Sequence, residues 1–258
     1  MELYHVFVLS TVEGVTEFLP ISSTAHLILT SRILSIPNSE FLTTFEVAIQ
    51  LGAILAVSVL YFKKIMGHID LLYKACIGFI PTGILGFLFF DYIKALFNST
   101  FVPVLTLFLG GILIIIIEIY FKKTNHKKEL KSLSNFTYKD ALMVGLIQSV
   151  SMIPGVSRAA ASIFGAMALK FDRQSAVEFS FLLAIPTMVA ATGLDLVKTA
   201  PSFTPQQGLF LALGIILSFV TALVVIKWLI QYVQKNDFIG FGIYRIVLSI
   251  IYYLLFVK

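Results

Sequence analysis

Charge and cysteine are scarce in this sequence. Only 13% of the 258 residues are charged, whereas 58% are hydrophobic, and apolar runs of about twenty residues recur along the chain. The net charge of +5 is better explained by lysines that flank membrane segments than by binding to nucleic acid. The single cysteine, Cys76, excludes an intramolecular disulfide. The composition therefore predicts a polytopic membrane protein that binds no nucleic acid.

Six segments are long and apolar enough to cross a bilayer as helices. They lie at 41–62, 75–93, 101–121, 176–198, 208–230 and 238–257. Two further apolar segments, 3–34 and 140–170, are interrupted near the middle, one at Pro20 and the other at Pro154. Proline disfavours helical conformation in the preceding residue and removes a backbone donor, so each segment is predicted to form helix, break, helix. A re-entrant hairpin fits this pattern better than a straight span.

The two interrupted segments belong to a weak internal repeat. Pro20 matches Pro154 and Ser23 matches Ser157 at one offset. A broken hairpin followed by three spans in each half predicts an inverted-topology repeat, as in many transporters. We therefore expect an all-α polytopic membrane protein with six transmembrane helices plus two re-entrant helical hairpins. It would form one integral membrane domain, 1–258, with repeats at 1–125 and 138–258.

Lysine and arginine positions give the orientation of this topology. Thirteen of the nineteen lie on one face and four on the other, with Arg158 and Arg245 left within the membrane. The positive-inside rule makes the richer face cytoplasmic. The first hairpin then enters from outside and the second from inside, so their turns are predicted to meet near the middle of the membrane.

The predicted meeting point combines two helix N-termini with a permanent positive charge. The candidate helix caps are Ser22, Ser23 and Thr24 in the first hairpin and Ser157 in the second. Free backbone N–H groups and the positive ends of two helix dipoles attract anions. The guanidinium of Arg158 suits phosphate or carboxylate oxygens. These features predict an anion site, and the alternative is ordinary capping with a structural ion pair.

Two glutamates and a histidine lie beside this point in the sequence. Glu13 and Glu17 are four residues apart, so they share one helix face. Two acids side by side in apolar surroundings repel each other unless a cation lies between them, which suits a divalent-metal site or an acid–base pair. His26 could reach the same space as base, nucleophile or ligand. With the hydroxyls and Arg158, these groups approach a phosphoryl-transfer site.

Three motifs make the sequence similar to a known family. They are EGVTEFLPISSTAHL at 13–27, PGVSR at 154–158 and EFSFLLAIP at 178–186. They resemble those of the undecaprenyl-diphosphate phosphatases of the bacitracin-resistance type, and the resemblance covers essentially the whole chain. It implies a bacterial plasma-membrane hydrolase that removes the terminal phosphate from undecaprenyl diphosphate and regenerates the lipid carrier of cell-wall synthesis. Bacitracin resistance follows because the antibiotic binds the diphosphate.

The resemblance assigns functional residues by motif. The paired acids fall on Glu13 and Glu17, the first-motif serine and histidine on Ser23 and His26, and the second-motif serine and arginine on Ser157 and Arg158. There are departures: Ala25 replaces a glycine, Ala159 and Ala160 stand where serine and glycine are usual, and Ser162 replaces a threonine. The catalytic set is therefore expected to be retained: Glu13, Glu17, Ser23, His26 and Arg158. The departures remove one hydroxyl and some backbone freedom from the phosphate cradle.

The site is expected to use separate groups for binding and attack. The residues expected to bind the diphosphate are Ser22, Thr24, Ser157, Arg158 and Ser162. A divalent cation, Mg²⁺ or Ca²⁺, would bridge the diphosphate to Glu13 and Glu17. For the attacking group, Ser23 activated by a neighbour ranks first, His26 as nucleophile or base second, and metal-activated water third.

The expected partners are the undecaprenyl diphosphate lipid and the bilayer, and a homodimer is one option for the oligomeric state. The lipid tail would lie in an apolar cleft open sideways to the bilayer, and the site would open toward the outside. The main alternative function is a lipid-carrier flippase or transporter, for which broken helices and inverted repeats are equally expected. A third is lipid or bacitracin binding without turnover. The acids, hydroxyls and histidine favour catalysis, since binding alone would not require them.

Overall fold

The computed structural model describes residues 1–97, 99, 101–125, 130–198 and 203–256. Within these ranges the chain forms eleven α-helices, and its β-structure is limited to a bridge between Lys131 and Phe171. The helices are α1 (Leu3–Thr16), α2 (Ser23–Ile33), α3 (Glu40–Gly67), α4 (Ile69–Leu88), α5 (Phe90–Phe97), α6 (Phe101–Asn125), α7 (Tyr138–Gln148), α8 (Arg158–Ala168), α9 (Arg173–Lys198), α10 (Pro205–Lys235) and α11 (Ile239–Phe256). The all-α class expected from the sequence is confirmed.

Six helices in the described ranges are long and apolar enough to cross a membrane: α3, α4, α6, α9, α10 and α11. They correspond to the six predicted spans. The longest, α3 and α10, begin before their apolar runs because Ser39 and Thr204 cap them with side-chain hydroxyls. The predicted span 75–93 is divided, since α4 ends at Leu88 and α5 begins at Phe90.

Both proline-containing segments form two helices with a break between them. The first break, residues 17–22, separates α1 from α2. The second break, residues 149–157, separates α7 from α8 and begins with a 3₁₀ turn, Ser149–Met152. In each case the second helix packs back on the first. Placement of these hairpins as re-entrant elements, and the inverted repeat, stay predictions.

The helices that surround the breaks approach one another closely. α1 packs on α10 and α3, while α8 packs on α9 and α7. α6 and α11 meet at two glycines, where a Cβ on Gly111 would lie 2.6 Å from the Gly242 carbonyl oxygen. Small residues allow such close backbone contact between membrane helices. The charge-based orientation stays a prediction, and residues 126–129 of the lysine-rich loop lie outside the described ranges.

Candidate active site

The two breaks end in the same backbone conformation. Ser22 has φ 71° and Ser157 has φ 78°, in the left-handed half of φ space that residues other than glycine adopt infrequently. In this conformation each serine caps the helix that follows. The Ser22 Oγ accepts from the N–H of Ala25 at 3.5 Å, and the Ser157 Oγ accepts from the N–H of Ala160 at 3.1 Å. Ser23 is the first residue of α2, so the conformational counterpart of Ser157 is Ser22.

A charged hydrogen-bond network joins the two breaks. Glu17 is buried and accepts a hydrogen bond from the Ser23 Oγ through one carboxylate oxygen. Its other oxygen accepts from Nη2 of Arg158 at 3.0 Å. Arg158 also donates through Nη1 to the Ser180 carbonyl oxygen at 3.1 Å, and its guanidinium lies 5.7 Å from the centre of the Phe18 ring. Three of the predicted catalytic residues, a carboxylate, a hydroxyl and a guanidinium, are therefore joined through Glu17.

Glu13 lies one helical turn before Glu17 and is completely buried. Neither of its carboxylate oxygens has a hydrogen-bond partner among the described residues. Burying a carboxylate without a partner is costly, so the position favours a cation or a bound proton. The described ranges contain no cluster of three or more His, Cys, Asp or Glu side chains able to hold a metal. Mg²⁺ often uses one or two carboxylates with waters and substrate phosphates, so the Glu13–Glu17 pair fits such an ion.

His26 faces α11 rather than the carboxylates. Its Nδ1 lies 2.7 Å from the Ser22 carbonyl oxygen, and its Nε2 lies 2.8 Å from the hydroxyl of Tyr244. Both ring nitrogens therefore have partners other than Ser23, whose hydroxyl contacts Glu17. Tyr244 was missed by the sequence reasoning. The available signal was a tyrosine directly before an arginine in an otherwise apolar span.

Two of the residues predicted to bind substrate differ in what their hydroxyls contact. Thr24 is half-buried, and its hydroxyl makes no hydrogen bond within the part of the chain that the structure describes. Ser162 is completely buried; its hydroxyl donates to the Arg158 carbonyl oxygen at 2.9 Å and lies 2.6 Å from the Ser180 hydroxyl. In this arrangement the hydroxyl holds α8 against α9, and the expected role of Ser162 in binding the diphosphate stays a prediction.

Arg245 of α11 holds the two breaks together. It is completely buried, and all five of its hydrogen bonds go to backbone carbonyl oxygens. The acceptors are Pro20 (3.2 Å) in the first break, Gly155 (2.9 Å) and Val156 (3.0 Å) in the second, and Thr106 (3.0 Å) and Leu107 (3.4 Å) in α6. Gly110 leaves room for the guanidinium, since a Cβ there would lie 2.2 Å from its Nη2. From the sequence, Arg245 was expected to pair within the helix bundle or to extend toward the cytoplasmic face, and its partners were not named.

The arrangement brings positive charge from two helix N-termini and two arginines to the same place as the carboxylates of Glu13 and Glu17. Two capped helix N-termini carry partial positive charge, and Arg158 and Arg245 add two guanidinium groups. Within the described ranges, Arg245 has no carboxylate partner, whereas Arg158 is paired with Glu17. Such a site can bind a multiply charged anion next to a hydroxyl, Ser23, that already donates to a carboxylate.

Comparison with known proteins agrees with this chemistry. A family model described as "Bacitracin resistance protein BacA" matches residues 6–251. A protein of Sulfurihydrogenibium sp. (strain YO3AOP1) is 47% identical over 254 residues, which cover 98% of this chain and 99% of the relative. Proteins of Persephonella marina (46% identical, covering 100% of both chains) and Aquifex aeolicus (45% identical, covering 98% of both) are comparably similar. All three relatives are named "Undecaprenyl-diphosphatase". The family expected from the motifs is confirmed, and the chain belongs to the family of the bacitracin resistance protein BacA.

Proposed function

We propose that this chain hydrolyses undecaprenyl diphosphate to undecaprenyl phosphate and inorganic phosphate. The observation that carries the proposal is the network in which Ser23 and Arg158 both contact Glu17. In this network the Ser23 hydroxyl has a carboxylate as proton acceptor, and a guanidinium lies close by to neutralise phosphate charge. Membership of the family and the shared name of the relatives support the same activity. The flippase alternative is not favoured, since the relatives carry the name of a hydrolase.

The diphosphate would bind between the two breaks. The N-termini of α2 and α8 supply partial positive charge and free N–H groups. Arg158 supplies a full charge, and its Nε is buried without a hydrogen-bond partner among the described residues, so this donor is available to a phosphate oxygen. The hydroxyls of Ser22, Thr24 and Ser157 lie at the same two N-termini. Arg245 contributes charge from behind, since its own donors are all used by carbonyl groups.

Ser23 is the best-placed attacking group. Its Oγ would form a bond to the terminal phosphorus while the bond from that phosphorus to the bridging oxygen breaks, and undecaprenyl phosphate leaves. The Ser23 proton would pass to Glu17 along the existing hydrogen bond. Water would then hydrolyse the phosphoserine, releasing phosphate and restoring the hydroxyl. His26 ranks second, because its ring nitrogens are held by Ser22 and Tyr244. A directly attacking water ranks third.

A divalent cation, Mg²⁺ or Ca²⁺, would be held by Glu13 and Glu17 together with substrate oxygens. When bound, it would neutralise phosphate charge. The support for it is the pair of unpartnered oxygens on Glu13. Glu13→Gln is therefore expected to raise the cation concentration needed for half-maximal activity, with little effect on thermal unfolding of the metal-free protein. An unchanged cation requirement would contradict this assignment.

The lipid tail would lie between helices at the bilayer side of the site. One apolar groove, of about 210 Å³, runs between α6 and α11 and is lined by Leu105, Phe108 and Tyr253, among others. It begins within a helical turn of Thr106 and Arg245, so it could receive the first part of a prenyl chain. The charge distribution favours a site near the middle of the bacterial plasma membrane that opens toward the outside. A homodimer remains an expectation.

The proposal is tested by phosphate release from undecaprenyl diphosphate in detergent with added Mg²⁺ or Ca²⁺. The wild-type protein is expected to release phosphate, and Arg158→Ala to reduce the rate at least about 100-fold, as for removal of an oxyanion donor. Arg32→Ala, at an exposed arginine of α2, is the matched control and should keep full activity. Folded wild-type protein that releases no phosphate across a range of lipid and cation conditions would overturn the proposal.

The attacking group needs a separate measurement. Rapid quenching followed by mass spectrometry is expected to find a phosphoryl group on Ser23. An adduct on His26 would transfer the attack to that residue. Reaction in ¹⁸O-labelled water with label in the phosphate, and no trapped adduct at any quench time, would favour direct attack by water.

A further inference from the structure

Tyr244 reaches the site from the last helix of the chain. Its hydroxyl lies 2.8 Å from Nε2 of His26. The two rings are nearly parallel, with an angle of 7° between their planes and 5.6 Å between their centres. The contact links residues 218 positions apart in sequence, so it depends on how α11 docks against α2. Tyr244 therefore restrains both the plane and the hydrogen bonding of the imidazole.

The other ring nitrogen determines the direction of this hydrogen bond. Nδ1 lies 2.7 Å from the Ser22 carbonyl oxygen, and a carbonyl oxygen can only accept. The Nδ1 atom must therefore carry a proton, and in a neutral imidazole Nε2 is then the unprotonated acceptor. The Tyr244 hydroxyl donates to it. The contact with the Ser22 carbonyl oxygen therefore selects one tautomer of His26, and the Tyr244 hydroxyl orients its proton to match.

The backbone on both sides of this contact is fixed by the breaks themselves. Ser22 is the cap residue of α2, so its carbonyl position depends on the conformation of the first break. Tyr244 directly precedes Arg245, whose guanidinium binds carbonyl oxygens of both breaks. Two consecutive residues of α11 therefore reach the site: the Tyr244 hydroxyl contacts His26, and the Arg245 guanidinium contacts both breaks. A movement of α11 would disturb both contacts.

We propose that Tyr244 is a positioning residue of the diphosphatase reaction: its hydroxyl binds Nε2 of His26 and holds the ring in one plane, while the Ser22 carbonyl oxygen sets the Nδ1–H tautomer. The inference rests on the proposed function and adds a residue that the motifs do not contain. Without the hydroxyl, Nε2 has no donor, and the plane of the imidazole is held by the contact of Nδ1 with Ser22 alone. Partners that orient metal-bound histidines affect metal affinity or activity by about 10- to 100-fold when removed, and an effect at the lower end of that range is expected here.

The first test is Tyr244→Phe, which removes the hydroxyl and keeps the ring. We expect kcat for phosphate release to fall about tenfold or more, with KM changed less than about twofold. Tyr120→Phe is the matched control: this tyrosine of α6 has 67% of its surface exposed, lies outside the groove and is expected to keep wild-type kcat. Thermal unfolding of both variants checks that the fold is intact.

The second test follows the imidazole itself by ¹⁵N NMR of histidine-labelled protein, with His26→Gln used to assign the signal. Wild-type protein is expected to show a protonated Nδ1 and an unprotonated Nε2 that accepts a hydrogen bond. Tyr244→Phe should keep Nδ1 protonated and should shift the Nε2 signal, because the hydrogen bond to Nε2 is lost. Wild-type kcat in Tyr244→Phe, or an unchanged Nε2 signal, would overturn the inference. Failure of the proposed function is distinguishable, because wild-type protein itself would then release no phosphate.

Discussion

The first and second breaks use one backbone device to present different chemistry. Each ends in a serine with positive φ that caps the following helix. The first break then carries the carboxylate Glu17 and is followed by Ser23, whereas the second break is followed by Arg158. The reacting hydroxyl and its proton acceptor thus come from one break, and the charge that would neutralise the phosphate comes from the other.

This difference shows why neither half of the chain would suffice alone. The acid and the arginine need each other, since a buried carboxylate or guanidinium without a partner is costly. They meet at 3.0 Å only because the breaks lie side by side. Arg245 secures that arrangement by bonding to carbonyl oxygens of both breaks. Single substitutions can therefore separate what the breaks share from what distinguishes them.

Loss of Arg245 should affect both breaks at once, because its guanidinium donates to carbonyl oxygens of both. Arg245→Met leaves the carbonyl oxygens of Pro20, Gly155 and Val156 without this donor, and each buried unsatisfied group costs about 1–3 kcal/mol. The other two acceptors lie inside α6 and keep their helical N–H donors. We expect a destabilisation of at least about 3 kcal/mol and loss of phosphate release. Thermal unfolding in detergent measures it, with Arg32→Met, at an exposed arginine, as control. An Arg245→Met protein as stable as the wild type would contradict the clamping role.

The hydroxyls that follow the two breaks should differ in kind. Ser23→Ala is expected to lower kcat about 1000-fold, equivalent to about 4 kcal/mol of activation free energy, with little change in stability. Ser162→Ala should keep kcat within a few-fold and lower stability by about 1 kcal/mol, since it leaves the Ser180 hydroxyl without this partner. Equal losses of kcat in the two variants would show that both hydroxyls take part in the chemistry.

The second break tolerates fewer substitutions than the first at one position, Gly155, where only glycine fits the backbone conformation and the space. Gly155 has φ +89°, and a Cβ there would lie 2.1 Å from the Thr106 hydroxyl. Gly155→Ala should therefore destabilise the protein by about 2 kcal/mol or more through strain and collision. Gly67→Ala is the control, because a Cβ on Gly67 would have no neighbouring atom within 4 Å among the described residues. Similar unfolding temperatures for both variants would argue against the strain.

The smallest effects on stability should come from the capping serines, which both breaks have. Ser22→Ala and Ser157→Ala each remove a cap, at a cost of about 1 kcal/mol. Glycine at either position should cost less, since glycine accepts positive φ. The Ser157 cap has the shorter hydrogen bond, 3.1 Å against 3.5 Å, so its loss should be the larger of the two. Thermal unfolding of all four variants tests this, and a fully silent Ser157→Ala would contradict it.

The sequence predicted the breaks and their chemistry because those depend on local signals. Proline interrupts an apolar helix at a readable position, and Ser22 and Ser157 stand where a cap is required. The ion pair between Glu17 and Arg158 corresponds to the alternative of ordinary capping with a structural ion pair, whose two partners the sequence did not name. The six spans were predicted by length and hydrophobicity alone.

What the sequence could not supply were contacts set by tertiary packing. The roles of Tyr244 and Arg245 depend on the docking of α11, and a tyrosine and an arginine in an apolar span do not reveal their partners. The hydrogen bond between Ser162 and Ser180 was another such contact, because a hydroxyl near a phosphate motif looks the same whether it faces the site or the neighbouring α9. The correct alignment of the two breaks could be read only from the backbone conformation. Sequence matching paired Ser23 with Ser157, whereas the residues with matching positive φ are Ser22 and Ser157.

Arg245 recognises peptide groups rather than side chains, and this has a consequence for how such proteins can diverge. Every acceptor it uses is a main-chain carbonyl oxygen, which is present whatever residue occupies the position. Neighbours such as Val156 and Leu107 can therefore be exchanged without removing an acceptor. A search for covarying pairs would then find no partner for Arg245, although this side chain, like the Glu17–Arg158 pair, connects the two halves of the site.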